Sequence, residues 1–186
     1  MTALLAVLFV SMVESPFIVD ASAETSFLVR RPESAVRTTL NDVQIFRRNM
    51  PGVVAITAIG DGTWLYKTER RMPFSETVNT DFVLMRSGGS VVTYHTPEVT
   101  AANWMLFRFE STPVGADQTS VRVRLRVRLV RQNGGDIHLF APVLGEDFIS
   151  DRMHDDLAGM LELFAANVVR ECETFHSAMT AEGELR

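Results

Sequence analysis

From Ser150 to about Ala178 the apolar residues return in steps of three and four: Met153, Leu157, Met160, Leu161, Phe164, Val168, Cys172 and Phe175. That spacing puts all of them on one face of an α-helix. Arg152, Asp155, Asp156, Glu162, Arg170 and Glu173 fall on the opposite face. Glu146, Asp147 and Asp151 crowd the first turns, where the helix dipole favours negative charge, and Ser150 is the expected N-cap. At ~1.5 Å per residue the helix runs roughly 40 Å. A single stripe of that length needs a single long partner surface. The preceding chain reads as strands, so a sheet curved around the helix is expected.

The strands are legible from alternation. Val19, Ala21, Ala23, Thr25, Phe27 and Val29 alternate with Asp20, Ser22, Glu24, Ser26, Leu28 and Arg30, giving a first strand. Two short helical pieces follow, one opened by Pro32-Glu33-Ser34 and one carrying Val43, Ile45, Phe46 and Met50, with Pro51-Gly52 as the stop. Val53 to Ile59 and Thr63 to Met72 flank the turn Gly60-Asp61-Gly62. Thr77 to Arg86 and Ser90 to Thr96 form the next pair, and Ser90 to Thr96 is a candidate exposed edge. Asn103 to Glu110 and Ser120 to Val130 complete the set, and the apolar stretch Ile137 to Leu144 leads into the long helix. The order is strand, two short helices, a meander of six strands and one long helix. That is an α+β arrangement, with helices packed on one side of an antiparallel sheet.

At 186 residues the chain suits one domain with one core. Its 46% hydrophobic and 22% charged residues are those of an ordinary globular protein. A net charge of −5 argues against a nucleic-acid binder, whose footprint is basic. A single cysteine, Cys172, excludes an intrachain disulfide, and its place on the apolar helix face makes it a buried structural thiol. Residues 1–17 form an apolar leader, 18–178 the domain and 179–186 a polar tail. Ala3 to Val13 has the length of a signal-peptide core, and Ala21-Ser22-Ala23 resembles a cleavage site. No Lys or Arg precedes that run, and the period of two passes straight through the cleavage site. A cytoplasmic chain is the expectation, and export with cleavage after Ala23 the alternative.

The order of elements and the local text resemble the helix-grip fold of the START and polyketide-cyclase (SRPBCC) superfamily. The resembling residues are Glu33-Ser34-Ala35-Val36, Leu40-Asn41-Asp42, Met50-Pro51-Gly52-Val53, Gly60-Asp61-Gly62-Thr63-Trp64 and the C-terminal helix. The Pro-Gly-Val followed by Gly-Asp-Gly is similar to the carbon monoxide dehydrogenase accessory subunits and polyketide cyclase-like branches. The resemblance implies a curved antiparallel sheet of about seven strands around the long helix, with a hydrophobic cavity between them.

Residue parity gives a lining for that space without the resemblance. Trp64, Tyr66, Phe82, Tyr94, Met105, Phe107 and Leu125 lie on the apolar strand faces, and Met153, Leu157, Met160, Leu161 and Phe164 on the facing helix stripe. The plainer reading is that the same twelve fill a solid core, and the weight for a cavity comes mainly from the resemblance. Trp64, Tyr66 and Tyr94 each carry a polar end that needs a partner when buried. The expected function is binding of a hydrophobic or amphipathic small molecule: a lipid, a quinone or a polyketide-like compound. One alternative is a cyclase- or aromatase-like enzyme. Another is an accessory protein that docks a partner or a membrane surface through Arg122, Arg124, Arg126 and Arg128, which share one strand face. A solvated outer face partly neutralised by neighbouring carboxylates is the simpler reading of that stripe.

Catalytic and metal signatures are absent from the text. His95, His138, His154 and His176 are scattered, with no HExxH, CxxC, GxSxG or phosphate-binding loop, so no metal, cofactor or catalytic residue is assigned. His154-Asp155-Asp156 is the densest polar cluster, but neighbours on a helix fan out. His95 lies beside Tyr94 on a strand, with the parity that turns it away from the interior.

Overall fold

The computed structural model describes residues 16–71, 77–89, 91–98, 102–137 and 140–183, the side chains of 70, 71, 77, 78 and 175–183 excepted. The apolar leader at Ala3 to Val13, His138, and the side chains of Phe175 and His176 lie outside that description. The strands are β1 (Phe17–Val29), β2 (Val53–Gly60), β3 (Thr63–Arg71), β4 (Thr77–Ser87), β5 (Val91–His95), β6 (Asn103–Gly115) and β7 (Gln118–Arg131). The helices are α1 (Glu33–Asn41), α2 (Gln44–Asn49), α3 (Ala141–Leu144) and α4 (Glu146–Gly183), with a 3-10 turn at Gly134–Asp136. The seven strands form one antiparallel sheet in the order β1-β7-β6-β5-β4-β3-β2.

Parity decides which face of the sheet is buried. On β7, Val121, Val123, Leu125, Val127 and Leu129 are buried, and the arginines between them point outward. On β1, Val19, Ala21, Ala23 and Val29 are buried. The register pairs Ala21 with Val127 and Ala23 with Leu125 across the two strands. The helix stripe meets this face through Ile149, Met153, Leu157, Leu161, Phe164, Ala165, Val168 and Cys172, all buried.

The long helix runs beside β1 in the same direction. Glu146 Oε1 accepts a hydrogen bond from the Ile18 N–H at 2.7 Å, and Glu173 Oε1 accepts one from the Arg30 N–H at 3.2 Å. Twelve strand steps at ~3.3 Å and twenty-seven helical steps at ~1.5 Å both come to about 40 Å, so the two contacts pin matched lengths. The helix also holds α2. Glu171 accepts from Arg48 at 2.8 Å and from the Asn49 side chain, and Asn167 Nδ2 donates to Asn49 O at 3.1 Å.

Three boundaries differ from the sequence reading. The long helix starts at Glu146 rather than at a Ser150 N-cap, because Gly145 at φ +84° resets the chain after α3. The apolar approach from Ile137 to Leu144 contains that short helix, opened by Pro142 in its first turn. The strand near Ser90 to Thr96 is not an edge: β5 lies between β4 and β6, and the sheet ends at β1 and β2. A cut after Ala23 would remove half of β1, including Ile18 and its bond to Glu146. Among the described residues no helix is long and apolar enough to cross a membrane.

Candidate functional site

The layer between sheet and helix is built from the predicted lining and two rings the sequence reading left out of it. Tyr66, Phe82, Tyr94, Met105, Phe107, Leu125, Met153, Leu157, Leu161 and Phe164 are buried, and Trp64 and Met160 are half-buried against them. Phe46 of α2 is fully buried at the centre of this layer. Its ring lies 4.5 Å from Phe107, 5.0 Å from Tyr94, 5.7 Å from Tyr66, 5.9 Å from Phe109 and 6.0 Å from Phe164, centroid to centroid. The layer is thus aromatic from the helix, through α2, to the sheet. Ile45-Phe46 reads in the sequence only as the apolar side of a short helix. Phe109 has the parity of Phe107, which was the signal available for it.

Polar groups in this interior are few. Among the described residues the buried polar side chains are Asn49, Thr80, Thr96 and Thr119, each of them engaged, while Nη1 of the half-buried Arg31 is buried without a partner. Thr96 Oγ1 accepts from the Met105 N–H at 3.0 Å, Thr119 Oγ1 donates to Arg31 O at 2.8 Å, and Asn49 Nδ2 donates to Ile45 O at 3.1 Å. Arg131 Nη2 donates to Thr80 Oγ1 at 3.4 Å. No carboxylate or imidazole is buried among the described residues.

The two tyrosines differ. Tyr94 Oη donates to Leu40 O at 3.0 Å. Leu40 stands in the last turn of α1, where carbonyls lack intrahelical partners, so this phenol completes a helix end. Arg86 Nη1 serves the next carbonyl, Asn41 O, at 3.1 Å. Tyr66 is 1% exposed, surrounded by Phe46, Phe82 and Phe107 and paired across the sheet with Ile56. Burial pushes both phenols well above the ordinary tyrosine range; beside Tyr94, Arg86 opposes the shift and Asp42 adds to it. Both are therefore neutral hydrogen-bond donors at physiological pH. Burial likewise raises the Cys172 thiol, which makes it an inert structural residue.

The outer face is ionic. Arg122 and Arg124 both reach Glu24, the first at 3.2 Å, and Arg128 reaches Asp20 at 3.9 Å. Arg108 pairs with Glu110 at 2.8 Å. Arg126 instead lies over the Trp104 ring, 5.7 Å from its centroid. Asp20, Ser22, Trp104, Arg126, Ser150 and His154 line an open cleft of about 190 Å³ at the β1 side of the molecule. His154 and Asp155 are exposed and Asp156 lies 3.7 Å from Arg152, so the polar cluster of the sequence fans out. No group of metal-ligating side chains occurs among the described residues. His95 is half-buried, and its Nδ1 lies 3.2 Å from the carbonyl of Thr96.

No family model and no curated protein matches the sequence. Solved structures match by shape. A START superfamily protein from Mycobacterium smegmatis aligns at 13% identity and TM-score 0.57, over 83% of this chain and 98% of its own. The Zhui aromatase/cyclase from Streptomyces sp. R1128 aligns at 17% identity and TM-score 0.54, over 83% of this chain and 94% of its own. A conserved protein from Geobacillus kaustophilus aligns at 12% identity and TM-score 0.58, over 82% and 95%. At such identities a shared shape speaks for fold and not for chemistry. The seven-stranded sheet closed on its C-terminal helix, with two short helices after the first strand, is a START-like helix-grip fold.

Proposed function

We propose that the chain binds a hydrophobic or amphipathic small molecule in the layer between the sheet and α4. The observation that carries this reading is the chemistry of that layer. It is lined by aromatic and aliphatic side chains, and among the described residues its fully buried ionisable side chains are two tyrosines held neutral by burial and an inert cysteine. Binding sites for apolar ligands have this composition, with few polar groups to fix orientation. Trp64, Tyr66, Phe82, Tyr94, Met105, Phe107 and Leu125 form the sheet side, and Met153, Leu157, Met160, Leu161 and Phe164 the helix side. The rings are in mutual contact, so a ligand enters by parting them. The unbranched side chains of Met105, Met153 and Met160 are suited to that adjustment.

The enzymatic alternative is the weaker one. Cyclisation of a reactive chain calls for an acid or base near the operating pH. The interior offers no carboxylate or imidazole among the described residues, and its phenols are shifted away from neutrality. Docking through the arginine face is weaker still, because Glu24 and Asp20 already engage Arg122, Arg124 and Arg128. Retention in the cytoplasm is supported by β1, which runs unbroken through Ala21, Ser22 and Ala23.

Native mass spectrometry of the purified protein, followed by organic extraction, tests the binding reading. A stoichiometric apolar adduct is the expected result. A clean protein mass, with no thermal shift across a panel of hydrophobic compounds, would remove it.

A further inference from the structure

Among the described residues, Nη1 of Arg31 is the one buried side-chain nitrogen or oxygen without a hydrogen-bond partner. Arg31 stands two residues past the end of β1 and keeps the inward parity of Val19, Ala21, Ala23 and Val29. The fully buried Thr119 donates from Oγ1 to its carbonyl at 2.8 Å. The charge of Arg31 reaches the buried thiol of Cys172 on the α4 stripe, and Thr39 of α1 hydrogen-bonds the same thiol. The guanidinium therefore lies where β1, α1 and α4 converge, at one end of the layer between sheet and helix. The carboxylates of these elements are committed elsewhere. Glu33 accepts from Ser111 Oγ at 2.9 Å, Glu171 is held by Arg48 and Asn49, and Glu173 accepts from the Arg30 N–H. Arg131 shows how this fold satisfies a half-buried guanidinium: its Nη1 donates to Asn103 Oδ1 at 2.5 Å and to Val130 O at 3.0 Å. Arg31 Nη1 has no such acceptor. A buried N–H of a charged group without one costs more than a neutral N–H does, and a methionine would fill the same place without that cost.

Resting on the binding reading above, we propose that Arg31 anchors the head of the ligand, and that the ligand is an amphiphile with a single carboxylate whose apolar body lies between the sheet and α4. A carboxylate presents two acceptors to the guanidinium fork and cancels its charge. One guanidinium balances one negative charge. Glu171 and Glu173 flank Cys172 in the chain, so a phosphate dianion would bring a second charge with no counterpart at this end. An alcohol or a ketone would accept a hydrogen bond and leave the guanidinium charge uncompensated. The head stays at the half-buried end of the layer, where taking it out of water costs less than at the aromatic centre.

The experiment titrates dodecanoate, dodecan-1-ol and acetate into the full-length protein and its Arg31→Gln and Arg31→Lys variants by calorimetry. Dodecanoate isotope-labelled at its carboxyl carbon is followed by NMR through a pH titration of the complex. The expected result is that Arg31→Gln weakens dodecanoate roughly 10- to 100-fold, the range of a charge-assisted hydrogen bond, and leaves dodecan-1-ol unchanged. Arg31→Lys recovers part of the loss. Bound dodecanoate stays ionised to lower pH than free dodecanoate, and that depression disappears in Arg31→Gln. Acetate binds far more weakly than dodecanoate. Equal dodecanoate affinity in the unmodified protein and Arg31→Gln overturns the anchor and leaves the binding reading standing. Acetate that competes as well as dodecanoate also overturns it, because the guanidinium would then hold small anions without the layer. Failure of both dodecanoate and dodecan-1-ol to bind removes the anchor and the binding reading together. If Arg31→Gln does not fold, the unmodified protein decides: a bound carboxyl that titrates at or above its free value overturns the anchor.

Discussion

The two faces of the sheet both carry large side chains and obey different physics. On the inner face, β6 and β7 present Met105, Phe107, Phe109, Val123, Leu125 and Val127, which close against Phe46 and the helix. On the outer face, the same strands present Trp104, Arg108, Arg122, Arg124 and Arg126, which close against carboxylates or one another. Dispersion and water exclusion act within the first set and do not fade with salt. Coulomb attraction in high dielectric acts within the second, and ions screen it. The outer face therefore keeps β1 and β7 soluble and in register, and the inner face supplies most of the stability.

The sharpest way to break that contrast is Phe46→Ala. The ring touches five others, and its removal should cost about 3–5 kcal/mol in urea unfolding. A cost under about 1 kcal/mol would mean that the aromatic layer is loosely filled. Alkaline unfolding comes next. The phenols of Tyr66 and Tyr94 are raised above 10.0 when folded, so the unfolded chain ionises first. Stability is whole below about pH 10 and falls as pH rises further, by about 1.4 kcal/mol per pH unit for each tyrosine. Tyr66→Phe should remove one such contribution from the slope.

Tyr94→Phe should cost about 1 kcal/mol at neutral pH, because it strands the Leu40 carbonyl at the end of α1. Its effect should be independent of salt. Glu24→Gln should be the smallest change, and detectable only at low ionic strength. The Arg124 hydrogen bond, with help from the charges of Arg124 and Arg122, holds this exposed carboxyl below its ordinary value of 4.5. Its contribution is present above that value and disappears as pH falls through the folded value. The unmodified protein should therefore lose slightly more stability than the variant on acid titration. If Glu24→Gln instead rivalled Phe46→Ala, the division of labour between the faces would be wrong.

Periodicity is what made much of this legible. The stripe of α4 and the valine–arginine alternation of β7 each repeat long enough to fix a face, and ten of the twelve predicted lining residues are buried. The helix-grip arrangement was legible at the level of element order. The depth of Phe46 was not, because α2 has six residues and one short turn cannot display a face. Nor was the interior position of β5, which follows from long-range pairing that no local pattern encodes. The contrast between Tyr66 and Tyr94 was also hidden. Both sit on strands with inward parity, and only the arrival of Leu40 O beside one of them tells the two phenols apart.

The two glutamates that pin α4 along β1 also govern how copies of this chain could join. Glu146 and Glu173 occupy main-chain donors that an incoming strand would need, and the helix lies along the same border. The opposite border, β2, carries exposed Thr57, Ala58 and Ile59 and two register irregularities. A strand arriving at β1 would have to displace both carboxylates and one arriving at β2 would not, so β2 is the border better disposed to pair.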